Sequence, residues 1–492
     1  VNDVPHIGHA YTSIACDVMA RFKRLCGANV KFLTGTDEHG QKVEKSAEAK
    51  GMNPKGFVDM NAEHFKNLAQ VLNLSNDHFI RTTDDVHKKS VSKFWQKLVE
   101  NGEIYLGSYS GWYSVRDEAF YAESELIEGK APTGAPVEWV EEPSYFFRLA
   151  KWQEKLLEFY QQNPDFILPE SRRNEVISFV KSGLIDLSVS RTSFKWGIPV
   201  PGDEKHVMYV WLDALANYTT YLGFPDVDGA DFQNFWPNAH HIVGKDILRF
   251  HAIYWPAFLM AAGITPPKRV IAHGWWTNEG QKISKSLGNV IDPLALINEF
   301  GLDQTRYFLM REVPFGNDGD FSRQAMINRI NSELSNNLGN LAQRTLSLVA
   351  KNCDGKVPPE SGLIAKDREL MADFSQKFSD ISEAFEMQKF SDVLEIIMRL
   401  AGNANRYIDD EAPWALKKTD FSRMEAVLHT LLECIRHLAL YVLPFIPDSA
   451  GKLLDQLAIP HDNRNYGFVG ERGAIKSAIT LPAPEGIFPR FT

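Results

Sequence analysis

The chain is predicted to be an α/β protein carrying an insertion, followed by an all-α bundle. Three observations carry that expectation. Short β-branched and aromatic runs end in polar loops that open helices, over 30–50 and again over 206–273. Between them, residues 103–190 turn aromatic and glycine-punctuated. Beyond Ser322 no strand pattern returns, and long amphipathic helices fill the rest.

The bulk numbers allow this. A chain of 492 residues holds two to four domains and buries a large core. Hydrophobic content of 44% and charged content of 24% are ordinary for a globular protein. A net charge of −10 argues against a generic nucleic-acid coat, though not against local basic grooves. Cys16, Cys26, Cys353 and Cys434 are scattered, with no C-x-x-C pair. A disulfide framework or four-thiolate zinc site is not expected, and a reducing compartment fits. No apolar run reaches the roughly 18 residues that span a bilayer, and no signal peptide opens the chain.

In order, Gly8 to Leu25 carries Ile14, Val18, Phe22 and Leu25 at helical spacing, with Gly27 as the stop. Val30 to Leu33 is a predicted strand running into the polar loop Thr34-Gly35-Thr36-Asp37-Glu38-His39-Gly40, and Gln41 to Lys50 resumes as helix. Ligands gather at that end of a strand in open α/β sheets. Asp37 there either holds a substrate ammonium or caps the next helix. Tyr105 to Tyr113 is strand-like, and Trp139 to Tyr160 is predicted to turn helical after Pro143. Val207 to Trp211 is a predicted strand ending at Leu212-Asp213, His240 to Val243 another, and Arg269 to His273 a third. Between the last two, Ile247, Phe250, His251, Tyr254, Trp255 and Phe258 form one helical stripe, which suits either core or the wall of a pocket. Ala325–Ala350, Asp367–Phe385, Phe390–Tyr407 and Phe421–Leu443 are four predicted helices. Residues 331–492 hold 18 basic and 22 acidic side chains, a net −4 that does not announce RNA.

Two short stretches carry chemistry. Lys282-Ile283-Ser284-Lys285-Ser286 sets two lysines three apart among hydroxyls, between Gly280 and Gly288. Alone it is a solvated lysine loop or a cradle for a triphosphate whose charge shifts during reaction. His6-Ile7-Gly8-His9 places two imidazoles three apart at a predicted helix start, where anions bind.

HIGH before KISKS, in this order and chain size, resembles the signature pair of class I aminoacyl-tRNA synthetases. The stretches Asn2 to Thr12, Thr34 to Gly40, Tyr209 to Ala214 and Asp409 to Trp414 resemble the bacterial methionyl-tRNA synthetases over essentially the whole chain. The resemblance implies a Rossmann-type nucleotide-binding catalytic domain (1–102 and 191–325, the second half with the KISKS loop), a connective insertion domain at 103–190, a helical anticodon-binding domain at 326–470 and a C-terminal strap at 471–492. It also implies that a strand expected ahead of the HIGH loop is missing from the sequence, leaving the methionine pocket incomplete.

The resemblance assigns roles as well. Asp37 is expected to hold the methionine ammonium. Trp211, Ala214, Leu215, Tyr218, Ile247, His251 and Trp255 are expected to line the thioether pocket, and aromatics hold a polarisable chain well. Leu215 departs from family members that carry proline. ATP is expected at His6, Gly8, His9, Gly244, Asp246, His273 to Trp276, Lys282, Ser284 and Lys285, with His6, His9, Lys282 and Lys285 catalytic and Mg2+ accompanying the nucleotide. The implied activity is methionine–tRNA ligation: methionyl-adenylate and pyrophosphate form first, then methionyl passes to the 3′-terminal adenosine of tRNA(Met). Trp414, following Pro413, is either a core tryptophan or an exposed ring that stacks on an anticodon base. Asn340 and Arg344, four apart on one helix face, are either solvated surface or readers of base edges.

Zinc is not expected. Ser114-Val115-Arg116-Asp117 stands where many relatives carry a cysteine knuckle, and Glu125 to Val140 lacks Cys and His. The 103–190 insertion has no room for the editing domain of the leucine, isoleucine and valine enzymes. A cytoplasmic monomer is expected, since no C-terminal dimerisation domain follows the strap. The alternative, a catalytically inactive synthetase-like RNA-binding protein, would show broken motifs, and both motifs are intact.

Overall fold

The computed structural model describes residues 3–283 and 288–492. The chain forms two compact units, Val1–Pro5 with Lys31–His273, and His6–Val30 with Gly274–Thr492.

In the first unit the strand Leu33–Thr36 pairs in parallel with His78–Arg81, Leu33 opposite His78 and Thr36 opposite Arg81. A second parallel set places Arg269–His273 between His240–Gly244 and Ile167–Leu168. Helices Gln41–Ala49 and Asp85–Glu100 follow the first pair. The predicted strand over 30–33 is displaced. Asp77 takes the Phe32 amide on its carboxylate and gives its own N–H to the Phe32 carbonyl, so the regular ladder begins at Leu33. Thr34 to Thr36 are therefore strand, not loop.

The aromatic stretch builds an antiparallel sheet. Its order is Ala119–Tyr121, Ile104–Ser114, Glu138–Phe147, Leu187–Ser188. Pro143 lies inside this sheet opposite Ser108, and the helix predicted after it starts only at Gln153. Proline is tolerated there because the regular ladder on the strand's other edge lies beyond it, at Phe146 and Phe147. The strand predicted at Val207 to Trp211 ends earlier, as Asp203–Met208. The Tyr209 carbonyl already accepts from Leu212 and Asp213, which starts the helix Val210–Leu215. A continuous apolar run reads alike in either state. Behind these elements Phe94, Trp95, Phe147, Trp255 and Phe258 pack in one core.

The second unit starts with the helix Ile7–Leu25. Trp276–Asn278 and Gln281–Lys282 form a hairpin, and Gly319–Phe321 adds to it in parallel. Glu279 and Gly280 both take positive φ at the turn, 50° and 75°, the pattern that matches strand twist in a two-residue hairpin. Asp17 and Arg306, both fully buried, pair at 2.6 Å and tie Ile7–Leu25 to the helix Leu302–Arg311.

The bundle follows. Arg323–Arg329, Ile330–Gly339 and Asn340–Asn352 run on as one helical path, the middle part wound as π-helix. There Asn337 bonds the Met398 carbonyl and Asn405. The helix predicted over 367–385 is two, Ala365–Gln376 and Phe378–Glu386, meeting at Lys377. Phe390–Glu411 and the almost wholly buried Phe421–Val442 complete the centre. The tail runs along the π-helical stretch, held by Asn331 to Phe491 and Ser335 to Pro489.

Candidate active site and RNA-reading surface

In the first unit the predicted pocket residues assemble around His251. Its Nδ1 bonds the Ile247 carbonyl at 3.0 Å, which requires an N–H there, so Nε2 accepts from the Tyr218 hydroxyl at 2.8 Å. Burial holds His251 at about 4, neutral at physiological pH. Trp211 stacks on Phe250 with centroids 4.0 Å apart and meets His251 edge-on at 6.1 Å. Tyr218 stacks on His241 at 4.0 Å, and the Trp255 indole donates to His241 Nε2. Burial, then the neighbouring His251, lowers His241 as well. The wall is aromatic and uncharged, suited to a thioether chain. Ala214 and Leu215 are buried on the helix carrying Trp211, Leu215 within the core. Along the stripe Phe250, Tyr254, Trp255 and Phe258 pack in the core with Ile247 against it, and His251 makes the polar contacts to Ile247 and Tyr218.

Asp37 follows the strand Leu33–Thr36. It is not the helix cap, which is Gly40. Burial, then the charge of Asp213, raises its carboxyl to about 6. Neighbours hold this loop firmly. Buried Glu38 takes Arg81 on both oxygens, at 2.7 and 2.9 Å, and the Thr36 and Thr83 hydroxyls. Buried Asp213 takes His39 at 2.7 Å and His87 at 2.8 Å. Burial alone would raise Asp213, but the two imidazoles hold it at about 2. Further along, Gly244 pairs with His273, and a Cβ on Gly244 would lie 2.5 Å from Asp246 Oδ1. Gly244, Asp246 and His273 therefore sit together, and glycine leaves the Asp246 carboxylate its place.

In the second unit, His6 caps the helix Ile7–Leu25. Its Nδ1 accepts from the Gly8 amide, and His9 Nδ1 accepts from the His6 amide, both at 3.1 Å. Two histidines thus form a capping box, their rings 4.0 Å apart. Acceptance at Nδ1 puts the proton of each neutral ring on Nε2, leaving Nε2–H groups as donors beside a helix N-terminus. Burial, then His6, lowers His9 to about 3. A Cβ on Gly8 would lie 2.9 Å from the His6 ring, so the fold-back needs glycine. Tyr11 of this helix meets Trp276 edge-on at 5.4 Å. Lys282 ends the hairpin and is exposed. Its carbonyl accepts from Asn289, whose own carbonyl accepts from Asn278. Asp320 accepts from the Gly280 amide and closes the turn. Ser284 and Lys285 lie outside the described residues.

In the bundle Trp414 stands 44% exposed on the helix Pro413–Thr419, which decides against a core role. Ala412 before it takes the left-handed conformation, φ 43°. The Arg344 guanidinium lies 5.4 Å from the Trp414 ring and pairs with Asp409 at 2.7 Å. Asn340 is exposed at the start of Asn340–Asn352.

Family models match nearly the whole chain. The one described as tRNA synthetases class I (M) covers 1–136 and 125–346. The one described as the anticodon binding domain of methionyl tRNA ligase covers 357–492. The methionine–tRNA ligase of Rickettsia felis is 62% identical over 498 residues, spanning 100% of this chain and 96% of the relative. The chain belongs to the methionine–tRNA ligase family. The ligase of Brucella suis is 54% identical, with 100% and 96% covered. The structure of Mycobacterium tuberculosis methionyl-tRNA synthetase in complex with methionyl-adenylate matches with a TM-score of 0.97 at 50% identity, over 99% of this chain and 97% of that one.

Thr34 to Gly40 and Tyr209 to Ala214, which carry the resemblance, contain His39 and Asp213, but nothing in them shows which side chains meet. His39, His87 and Asp213 stand far apart in sequence and meet only in the fold. Phe250 and His241, which stack on Trp211 and Tyr218, read as core and as strand. In the stretch Ser114 to Asp117, Asp117 takes the Tyr121 and Thr133 hydroxyls, and Arg116 bonds Thr133. Tyr109 and Tyr113 pack on Phe120 beside them. Among the described residues no three His, Cys, Asp or Glu side chains group to hold a metal ion, and no helix is long and apolar enough to cross a membrane.

Proposed function

We infer that the protein activates methionine with ATP and transfers the methionyl group to tRNA(Met). One observation carries this: a full-length match to methionine–tRNA ligases in a chain whose HIGH and KISKS residues are all present. The reaction is attack of a methionine carboxylate oxygen on the α-phosphorus, with pyrophosphate leaving. A ribose hydroxyl of the terminal tRNA adenosine then attacks the acyl carbon, and AMP leaves. No protein nucleophile is needed, so catalysis is positioning and charge stabilisation.

Asp37 takes the methionine ammonium. The neutral wall of Trp211, Ala214, Tyr218, Ile247, His251 and Trp255, backed by Leu215, takes the thioether. His6 and His9 donate through Nε2–H to the phosphates, with Gly8 at the helix start. Gly244, Asp246, His273 and Trp276 serve the nucleoside. Lys282, Ser284 and Lys285 stabilise the departing pyrophosphate. ATP enters as its magnesium complex, a substrate rather than a resident metal. Residues 1–325 act as the catalytic domain, with 103–190 as its connective insertion. Residues 326–470 read the anticodon through Asn340, Arg344 and Trp414, and 471–492 are the strap. We place the enzyme in the cytoplasm as a monomer; light scattering giving twice the 55.7 kDa chain mass would refute the second point.

Charging of tRNA(Met) with radiolabelled methionine tests the function. Stable acid-precipitable label that depends on ATP supports it, and adenylate formation without transfer would leave the second step unsupported.

A further inference from the structure

The turn between Ile104–Ser114 and Ala119–Tyr121 holds an unusual acid. Glu118 takes φ 51°, in the left-handed region that non-glycine residues avoid. The Tyr209 hydroxyl donates to its carbonyl at 2.9 Å and fixes the backbone. Its carboxyl is thereby aimed out of the insertion at the Gly40 turn. A Cβ on Gly40 would lie 2.2 Å from Glu118 Oε1, and Gly40 itself sits at φ 106°, so only glycine fits beneath the acid. The Lys42 amide bonds the carboxyl, yet Oε1 is buried without a hydrogen-bond partner.

We propose that Glu118 is a positioning residue for methionine: it packs against the Gly40 turn that follows Asp37 and holds a proton that leaves when the substrate ammonium arrives. This rests on the reading of Asp37 as the ammonium ligand. A buried carboxyl oxygen without a partner is far less costly as part of a neutral acid than as part of an anion. The groups facing Glu118 favour the neutral form. Asp37 of the preceding loop repels a second negative charge, and Lys42 of the helix Gln41–Ala49 opposes it only in part. Tyr113 and Tyr209 are pushed up, first by burial, and stay neutral. Burial and then Asp37 raise Glu118 to about 8. Burial, the larger cause, remains, but an ammonium at Asp37 offsets the second, so the Glu118 carboxyl falls and part of its proton passes to solvent as methionine binds.

The test is calorimetric titration of methionine into the intact protein, in buffers of different ionisation enthalpy, from pH 5.5 to 9. A fall of one unit in the Glu118 carboxyl, from about 8, releases about half a proton at pH 7.5. Release near pH 6 belongs to Asp37, raised to about 6. Wild type is expected to show both limbs. Glu118→Gln keeps the lower limb and loses the upper one, with methionine still bound. No release above pH 7 in the wild type overturns the proposal without any variant, and so does an upper limb that survives in Glu118→Gln. Asp37→Asn separates the two readings. Unchanged methionine affinity in that variant removes Asp37 as the ammonium ligand. Lost affinity there, together with a missing upper limb in the wild type, refutes Glu118 alone.

Discussion

Replacing Trp414 by alanine should separate amino-acid activation from tRNA charging. The ring is 44% exposed, so its loss opens no core cavity. Its recorded ring contact is with the Arg344 guanidinium at 5.4 Å, worth about 0.5–1 kcal/mol at an exposed site. Stability should fall by about 1 kcal/mol, somewhat more than the roughly 0.5 kcal/mol of a fully exposed surface change, because part of the ring is covered. On the RNA side, stacking one base on an aromatic ring contributes about 1–3 kcal/mol, or roughly 5- to 150-fold. The strained Ala412 and Pro413 at the helix start hold the ring outward, as expected where strain serves a site. The assay compares methionine-dependent pyrophosphate exchange with tRNA(Met) charging on one preparation. Exchange should stay near wild type while kcat/KM for tRNA falls within that range. If both activities fall together and the melting temperature drops several degrees, Trp414 is a folding residue and the reasoning fails.

Lys285→Ala should lower kcat for exchange far more than it raises KM for methionine, because the lysine acts on charge that develops late; an unchanged kcat removes it from the mechanism. His251 is neutral and held at about 4, below the unfolded value of about 6.5. A lowered histidine destabilises the fold as pH falls through that window, by about 3 kcal/mol once both limits are passed. Denaturant unfolding from pH 7 to 4 should therefore be shallower in His251→Gln than in wild type, and identical slopes would show that His251 is not held neutral. Elemental analysis after dialysis should find no stoichiometric zinc; one zinc per chain would contradict the hydrogen-bonded turn at Asp117 and Thr133 as its replacement.

What the sequence makes legible here is local. HIGH and the stripe from Ile247 to Phe258 are patterns within a few residues; HIGH opens a helix, and the stripe lands on helix that is π-wound over Phe250–Tyr254. Of the lysine motif, Lys282 ends a hairpin strand, and 284–287 lie outside the described residues. Pro413 marks a helix start, but the sequence leaves Trp414 as either core or exposed, and its 44% exposure in the fold decides. What stayed hidden depends on chain separation or on tertiary choice. Nothing in the spacing of His39, His87 and Asp213 shows that they share one carboxylate. Neither does Glu118, inside an insertion, announce the Gly40 turn it packs on. The apolar run Val207 to Trp211 does not tell strand from helix start until Tyr209 finds its partners. Helix is predicted after Pro143, but a strand whose ladder on that edge lies beyond the proline accepts it and runs on to Phe147.

Pyrophosphate exchange into ATP, measured with each of the standard amino acids in turn, tests the central claim most directly. Methionine alone should support exchange, and it should do so without tRNA. Exchange with a different amino acid, or none with methionine in a folded preparation that still binds tRNA(Met), would contradict the account and favour an RNA-binding protein without activating chemistry.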